Sequence, residues 1–153
     1  LALARPTRVA ALVGIAAAPD FTEELIWNPL KDPAKASFQS SGQIIFENPY
    51  GDDPVIYPYH LIEDGRRHLR LQGPLLINAP VRLLHGMQDA EVPWKTAIRL
   101  ADQLQSKDVA VMFDKTATHR YSEPRQLAQL EHVLDDLVSL VTNTSTNLDK
   151  GTG

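Results

Sequence analysis

An α/β fold on a parallel sheet is what the sequence predicts, and three observations carry that prediction. The run Val9-Ala10-Ala11-Leu12-Val13 is apolar throughout rather than alternating, as expected of a strand covered on both faces. Val81-Arg82-Leu83-Leu84 is a second apolar run, stopped by Gly86 and followed from Trp94 by apolar residues at helical spacing. A third unit repeats the design, with Val109-Ala110-Val111-Met112-Phe113, a polar loop, and another helix. Strand, loop and helix in succession describe three parallel strands with helices. A long excursion separates the first two strands.

Taken in order, Leu1 to Arg5 reads as the last turn of a helix that Pro6 prevents from continuing, and Arg8 to Ile15 as the first strand. Asp20 and Thr22 are both candidate N-caps for a helix over about Glu23 to Asn28. Glu23 and Glu24 suit its dipole, and Pro29 and Pro33 mark its end. Two extended runs follow, Gln43 to Phe46 and Val55 to Tyr57. The Asn, Pro, Gly and Asp residues between them are turn chemistry and predict a hairpin. Pro58 to Leu69 reads as a helix with Arg66, Arg67 and Arg70 near its carboxyl end. This excursion, about residues 20–73 and called the cap below, is therefore expected to be helix, hairpin, helix.

Within it, Phe21, Trp27, Phe46, Tyr50 and Tyr57 could line an apolar pocket or form the cap's own small core, the latter for at least half of them. The three arginines could attract an anionic group, but a solvated helix face is the simpler account. Gly73-Pro74 returns the chain, and Leu75-Leu76-Ile77 leads to the strand at Val81. Trp94, Ala97, Ile98, Ala101 and Leu104 then share a helix face. Leu127, Leu130, Leu134, Leu137, Val138 and Val141 do the same in the last helix, which Ser122 would cap and Pro124 open. Thr142 to Gly153 is polar and repetitive, the composition of a disordered tail.

A chain of 153 residues is near the size of one domain. Its formal net charge of −4 offers no general electrostatic reason to bind nucleic acid or an anionic membrane. The absence of cysteine excludes disulfides, thiolate metal sites and a cysteine nucleophile. The longest apolar run, Ala10 to Pro19, is interrupted by Gly14 and is too short to span a bilayer. His60 and His68 lie too far apart to share a helix face as metal ligands, and no other metal spacing occurs. The compartment stays open, with the cytoplasm as default.

Chemistry concentrates after the second and third strands. Asp89 follows one strand on a turn, and His119 follows the next, thirty positions later. Open α/β sheets place functional groups just past the carboxyl ends of their strands. An acid and then an imidazole at successive strand ends match the acid-then-histidine order of one class of Ser-His-acid triad. Asp89 taken alone would fit a turn aspartate, and His119 a surface loop histidine. His85, beside Gly86 at a strand end, is a rival histidine better suited to packing or to bonding backbone. Asp114 is a second acid but precedes the histidine too closely to come from the neighbouring strand. His60, His68 and His132 fall in cap or helix positions, and Trp94 beside Pro93 fits packing.

HGMQDAEVPW (residues 85–94), with the loop histidine in THRYSEP (118–124), resembles the C-terminal portion of an α/β-hydrolase. The similarity is to small serine esterases and thioesterases, the group containing the mitochondrial acyl-protein thioesterase and acyl-glucuronide esterase and their bacterial relatives. The opening LALARPTRVAALVGIAAAPDFTE resembles the same group, so the likeness spans residues 1–141 and is weakest over 32–71. The resemblance implies a Ser-His-Asp mechanism without a cofactor, with Asp89 as triad acid, His119 as general base, and a small-molecule or protein-linked acyl ester or thioester as substrate. One departure matters. No serine here sits in Gly-x-Ser-x-Gly, the turn that exposes the nucleophile, so the serine is expected upstream. The chain is then expected to be a fragment, inactive unaided, with its first strand at a sheet edge. The competing expectation is a non-catalytic, hydrolase-like module that binds acyl ligands or a partner chain.

Overall fold

The structure, a computed structural model, describes the backbone of residues 1–149 and the side chains of residues 1–143. In chain order its elements are β1 (Leu12–Ile15), α1 (Asp32–Ser41), β2 (Gln43–Phe46), β3 (Val55–Pro58), α2 (Tyr59–Arg66), β4 (Val81–Gly86), α3 (Lys95–Gln103), β5 (Val109–Asp114) and α4 (Pro124–Asp149). A 3₁₀ turn at Pro6–Arg8 precedes β1, and a π-helix at Thr22–Trp27 precedes α1. The chain divides into two compact units. One consists of Leu1–Ala18 and the chain from Gly73 onward, the other of Pro19–Gln72.

The first unit is the α/β part. Its sheet has the order β1-β4-β5, all parallel, with Leu12 opposite Val81 and Val81 opposite Val109. β4 is central, and Val81, Leu83, Leu84, His85 and Gly86 along it are buried, as expected of a strand between two sheet neighbours, with Arg82 half-buried and paired with Asp108. Among the described residues β1 pairs with β4 alone, and it starts at Leu12 rather than Arg8, since Pro6–Arg8 forms the 3₁₀ turn and residues 9–11 lie outside the ladder. Before that turn, the Arg5 amide donates to the Leu1 carbonyl at 2.8 Å, a single helical turn.

The core beneath the sheet joins Leu84, Ala117, Tyr121, Val133 and Leu137, with Val13, Met112 and Leu130 packed against them. The face that α4 buries therefore runs through Gln126, Leu130, Val133 and Leu137. Leu127, Leu134 and Val138, expected on that face, point outward and are exposed. α4 carries two apolar stripes at helical spacing, and periodicity alone does not say which one meets the sheet. Likewise α3 buries Ala97 and Leu100 and exposes Ile98. The start of α4 is held by the Gln126 side chain, whose Oε1 accepts from the Glu123 amide at 3.0 Å, half of a capping box one residue past Ser122. α4 continues to Asp149 through part of the stretch expected to be a disordered tail, whose last residues, 150–153, lie outside the described residues.

The second unit departs more from expectation. The first helix is a π-helix, with the Asn28 amide donating to the Glu23 carbonyl at 2.8 Å. Neither Asp20 nor Thr22 caps it. Thr22 lies inside it, and Asp20 is buried with its two oxygens accepting from the Arg70 and Leu71 amides at 2.7 and 2.8 Å. Asp20 thus ties together the two ends of this unit. α1 is a helix where the sequence suggested only a stop, at Pro29 and Pro33. Pro33 is in its first turn, where a missing N–H is harmless, and Gly42 ends it with φ +75°.

The hairpin β2–β3 and α2 follow, with Ile44 opposite Tyr57. Ile26, Phe38 and Ile62 form the small core, with Trp27, Tyr57 and Tyr59 packed on it. Phe21, Phe46 and Tyr50 are exposed, so two of the five aromatics considered for this core join it. Arg66 is not simply solvated, because it pairs with Glu23 at 2.7 Å and stacks 4.6 Å from the Trp27 ring centre. The Glu23 carboxylate accordingly raises its pKa further.

Candidate active site

Asp89 and His119 lie on loops after neighbouring strands, β4 and β5, whose ends are in register with Gly86 opposite Asp114. The two loops are laced together by backbone bonds. The Met87 amide donates to the Asp114 carbonyl at 2.8 Å and the Gln88 amide to the Ala117 carbonyl at 3.0 Å. Gly86 allows that approach. A Cβ there would stand 2.6 Å from the Ala117 carbonyl carbon and 2.8 Å from the Thr118 oxygen.

The loop bearing His119 has its own brace. Asp114 Oδ1 accepts from the Thr116 amide at 2.9 Å, the Thr116 hydroxyl at 3.0 Å and the Ala117 amide at 3.2 Å. Its Oδ2 accepts from Arg125 of α4 at 2.6 Å. The Thr116 amide, then the Thr116 hydroxyl and the Arg125 guanidinium, hold this carboxyl below its ordinary value against the opposing effect of burial. Beyond His119, Tyr121 has φ +47°, unfavourable for a bulky residue. Its ring is buried in the core and its hydroxyl donates to Gln129 at 2.8 Å, which offset that strain and hold the end of the loop. Burial pushes the Tyr121 phenol up.

At the centre, His119 Nδ1 is 3.0 Å from Asp89 Oδ2. A carboxylate only accepts, so Nδ1 carries the proton and Nε2 holds the free lone pair. The Asp89 side chain is wholly buried, whereas that of His119 is 32% exposed. Asp89 divides its oxygens between two tasks. Oδ1 closes its own turn by accepting from the Glu91 and Val92 amides at 2.9 and 2.8 Å, and Oδ2 takes the imidazole. Being a turn aspartate and being the partner of a histidine are therefore not alternatives here.

His85 is completely buried with Nε2 3.0 Å from the Val92 carbonyl and 3.3 Å from Asp89 Oδ2. Glu91 Oε2 lies 3.7 Å from His119 Nε2, on the side of the ring away from Asp89. The burial of His85 and its bond to backbone are those expected from its place beside Gly86, whereas its approach to Asp89 and that of Glu91 to His119 had no sequence signal beyond proximity to Asp89. His68 and His132 are exposed beside acids on their own helical turns, and His60 is exposed. Trp94 packs edge-on against Phe113 at 5.4 Å. Among the described residues no group of histidines and acids could hold a metal ion, and no helix is long and apolar enough to cross a membrane.

The human protein named palmitoyl-protein thioesterase ABHD10, mitochondrial, is 36% identical over 138 residues, covering 90% of this chain and 45% of that protein. The chain belongs to the α/β-hydrolase superfamily. Its likeness is to the C-terminal portion of that thioesterase group. The solved structure of α/β-hydrolase domain-containing protein 10 from mouse superposes with a TM-score of 0.81 at 33% identity, over 92% of this chain and 56% of that one. A putative hydrolase from Agrobacterium vitis gives the same TM-score at 32% identity, over 84% and 49%. The chain thus spans about half the length of the relatives it matches. No family model matches it.

Proposed function

We propose that this chain supplies the acid and the general base of a serine hydrolase that cleaves carboxylic esters or thioesters. The observation that carries the reading is the 3.0 Å contact between His119 Nδ1 and the buried Asp89 carboxylate, which leaves Nε2 free to take a proton. Asp89 fixes the imidazole tautomer and stabilises the imidazolium that forms. His119 Nε2 takes the proton of a serine hydroxyl as its oxygen attacks the acyl carbonyl, and returns it to the departing thiol or alcohol. The resulting acyl-enzyme is hydrolysed by water that gives its proton to the same nitrogen. This chain has no Gly-x-Ser-x-Gly, so the reading requires a nucleophile from outside these 153 residues. A long-chain acyl thioester on protein is the substrate class favoured by the relatives' printed name.

The test is fluorophosphonate labelling of the complete gene product that contains these residues, beside its Asp89→Asn and His119→Ala variants. Rapid labelling at an upstream serine is expected, slowed by about 10⁴ in Asp89→Asn, the size of that substitution's effect in serine proteases. Full labelling rates in both variants would refute the site. The absence of any labelled serine would favour the non-catalytic module instead.

A further inference from the structure

We propose that His85 is a positioning residue for the reaction, holding the Asp89 turn so that Oδ2 faces His119. The inference rests on the acid and base roles proposed for Asp89 and His119. The Val92 carbonyl can only accept, so the proton of His85 lies on Nε2, which donates to that oxygen at 3.0 Å. The amide of the same Val92 donates to Asp89 Oδ1 at 2.8 Å. One imidazole in the strand therefore fixes both ends of the turn, because Val92 is bound through its carbonyl to β4 and through its amide to Asp89. The same N–H stands 3.3 Å from Asp89 Oδ2, the oxygen that receives His119. Its dipole stabilises negative charge there without taking the oxygen's place in the hydrogen bond.

A residue present only for packing would not need this ring. His85 is completely buried, and its second nitrogen, Nδ1, has no hydrogen-bond partner, an arrangement that costs free energy an apolar ring would not. The Nε2–H contacts to Val92 and Asp89 are what the histidine provides in exchange. Groups that orient the histidines and carboxylates of metal sites typically matter by about 10-fold to 100-fold, and an effect on that scale is expected for a group that orients Asp89.

The experiment compares His85→Phe, which keeps a ring and removes the donor, with His85→Gln, whose amide nitrogen can reach the same acceptors. Both are made in the complete gene product and checked by thermal melt. Two readouts are taken, the fluorophosphonate labelling rate and the downfield proton resonance of His119 Nδ1–H. His85→Phe is expected to label about 10-fold to 100-fold more slowly and to lose or broaden the His119 resonance, and His85→Gln to recover both. A folded His85→Phe that keeps the resonance and the labelling rate overturns the inference. Should that variant unfold, a folded His85→Gln that retains both readouts supports the donor role, and one that lacks both overturns it. A slowed His85→Phe that Gln does not rescue, with the resonance unchanged, marks a packing role and also overturns it. Failure of the underlying reading looks different, because then Asp89→Asn itself leaves labelling unchanged.

Discussion

Replacing Gly86 with alanine tests whether the two loops must approach as closely as they do. The added Cβ would lie 2.6 Å from the Ala117 carbonyl carbon, and Ala117 is itself buried. Carbon atoms rest at about 3.5–4.0 Å, so the His119 loop would have to retreat by roughly 1 Å. The loop has little freedom to do so, since the Ala117 carbonyl receives the Gln88 amide and the Ala117 amide is bound to Asp114. The strain costs about 1–3 kcal/mol, the usual range for overpacking. For a chain of this length that lowers Tm by roughly 3–9 °C. Activity should fall further than stability, because a 1 Å displacement would lengthen the 3.0 Å bond between His119 and Asp89, and misplacement of that size can cost about 100-fold. Thermal melts and fluorophosphonate labelling of the complete gene product, below the variant's Tm, separate the two effects. A Gly86→Ala protein that melts and labels like the parent would show that the loop packing does not set the site.

Asp114→Asn should flatten the acid limb of the stability profile. A carboxyl whose folded pKa is depressed binds fewer protons folded than unfolded, so its stabilisation is complete above the unfolded value of about 3.9 and is lost as pH falls through the lower folded value. Melts between about pH 2 and 6 check this, and an unchanged acid slope in the variant would contradict the Thr116 and Arg125 account. Asp20→Ala should destabilise the unit Pro19–Gln72 by about 2–5 kcal/mol, because it leaves the Arg70 and Leu71 amides without their acceptor. Amide exchange at those two residues would quicken, and unchanged protection would count against the tie. Phe38→Ala should cost about 3–5 kcal/mol in the same unit, since Phe38 is only 1% exposed. A denaturant midpoint near the parent's would show that the ring is not central to the small core.

What could be read beforehand depended on whether the determining physics was local. The strands were legible because burial on both faces writes a largely apolar run, unbroken from Val109 to Phe113 in β5 and interrupted only by Arg82 and His85 in β4. The place of Asp89 and His119 at adjacent strand ends follows from the same runs, since β4 and β5 are neighbours in the sheet. α1 was hidden because proline stops a helix in its interior yet suits its first turn, and Pro33 alone does not tell which applies. The buried stripe of α4 was misread because Leu127, Leu134 and Val138 repeat at helical spacing as convincingly as Leu130, Val133 and Leu137. Asp20 looked like a cap because its true partners, the Arg70 and Leu71 amides, lie fifty residues away. For the same reason the brace between Asp114 and Arg125 left only a faint trace, an aspartate two residues before a threonine, which is the spacing of a local turn.

That brace also explains why, of two aspartates at two strand ends, only one is suited to orient a base. Asp114 Oδ1 is occupied by two amides and a hydroxyl, and Oδ2 by a guanidinium on α4. Its charge is spent inside its own loop, where it fixes the backbone that carries His119. Asp89 has the same kind of turn on Oδ1 but no cation on Oδ2, which faces two imidazoles. Had Arg125 been placed to reach Asp89 instead, the guanidinium would have competed with His119 for Oδ2 and drawn off the negative charge that an imidazolium needs beside it. The position of Arg125 on α4 thus separates the structural carboxylate of Asp114 from the one proposed to orient the base, although both follow their strands in similar turns.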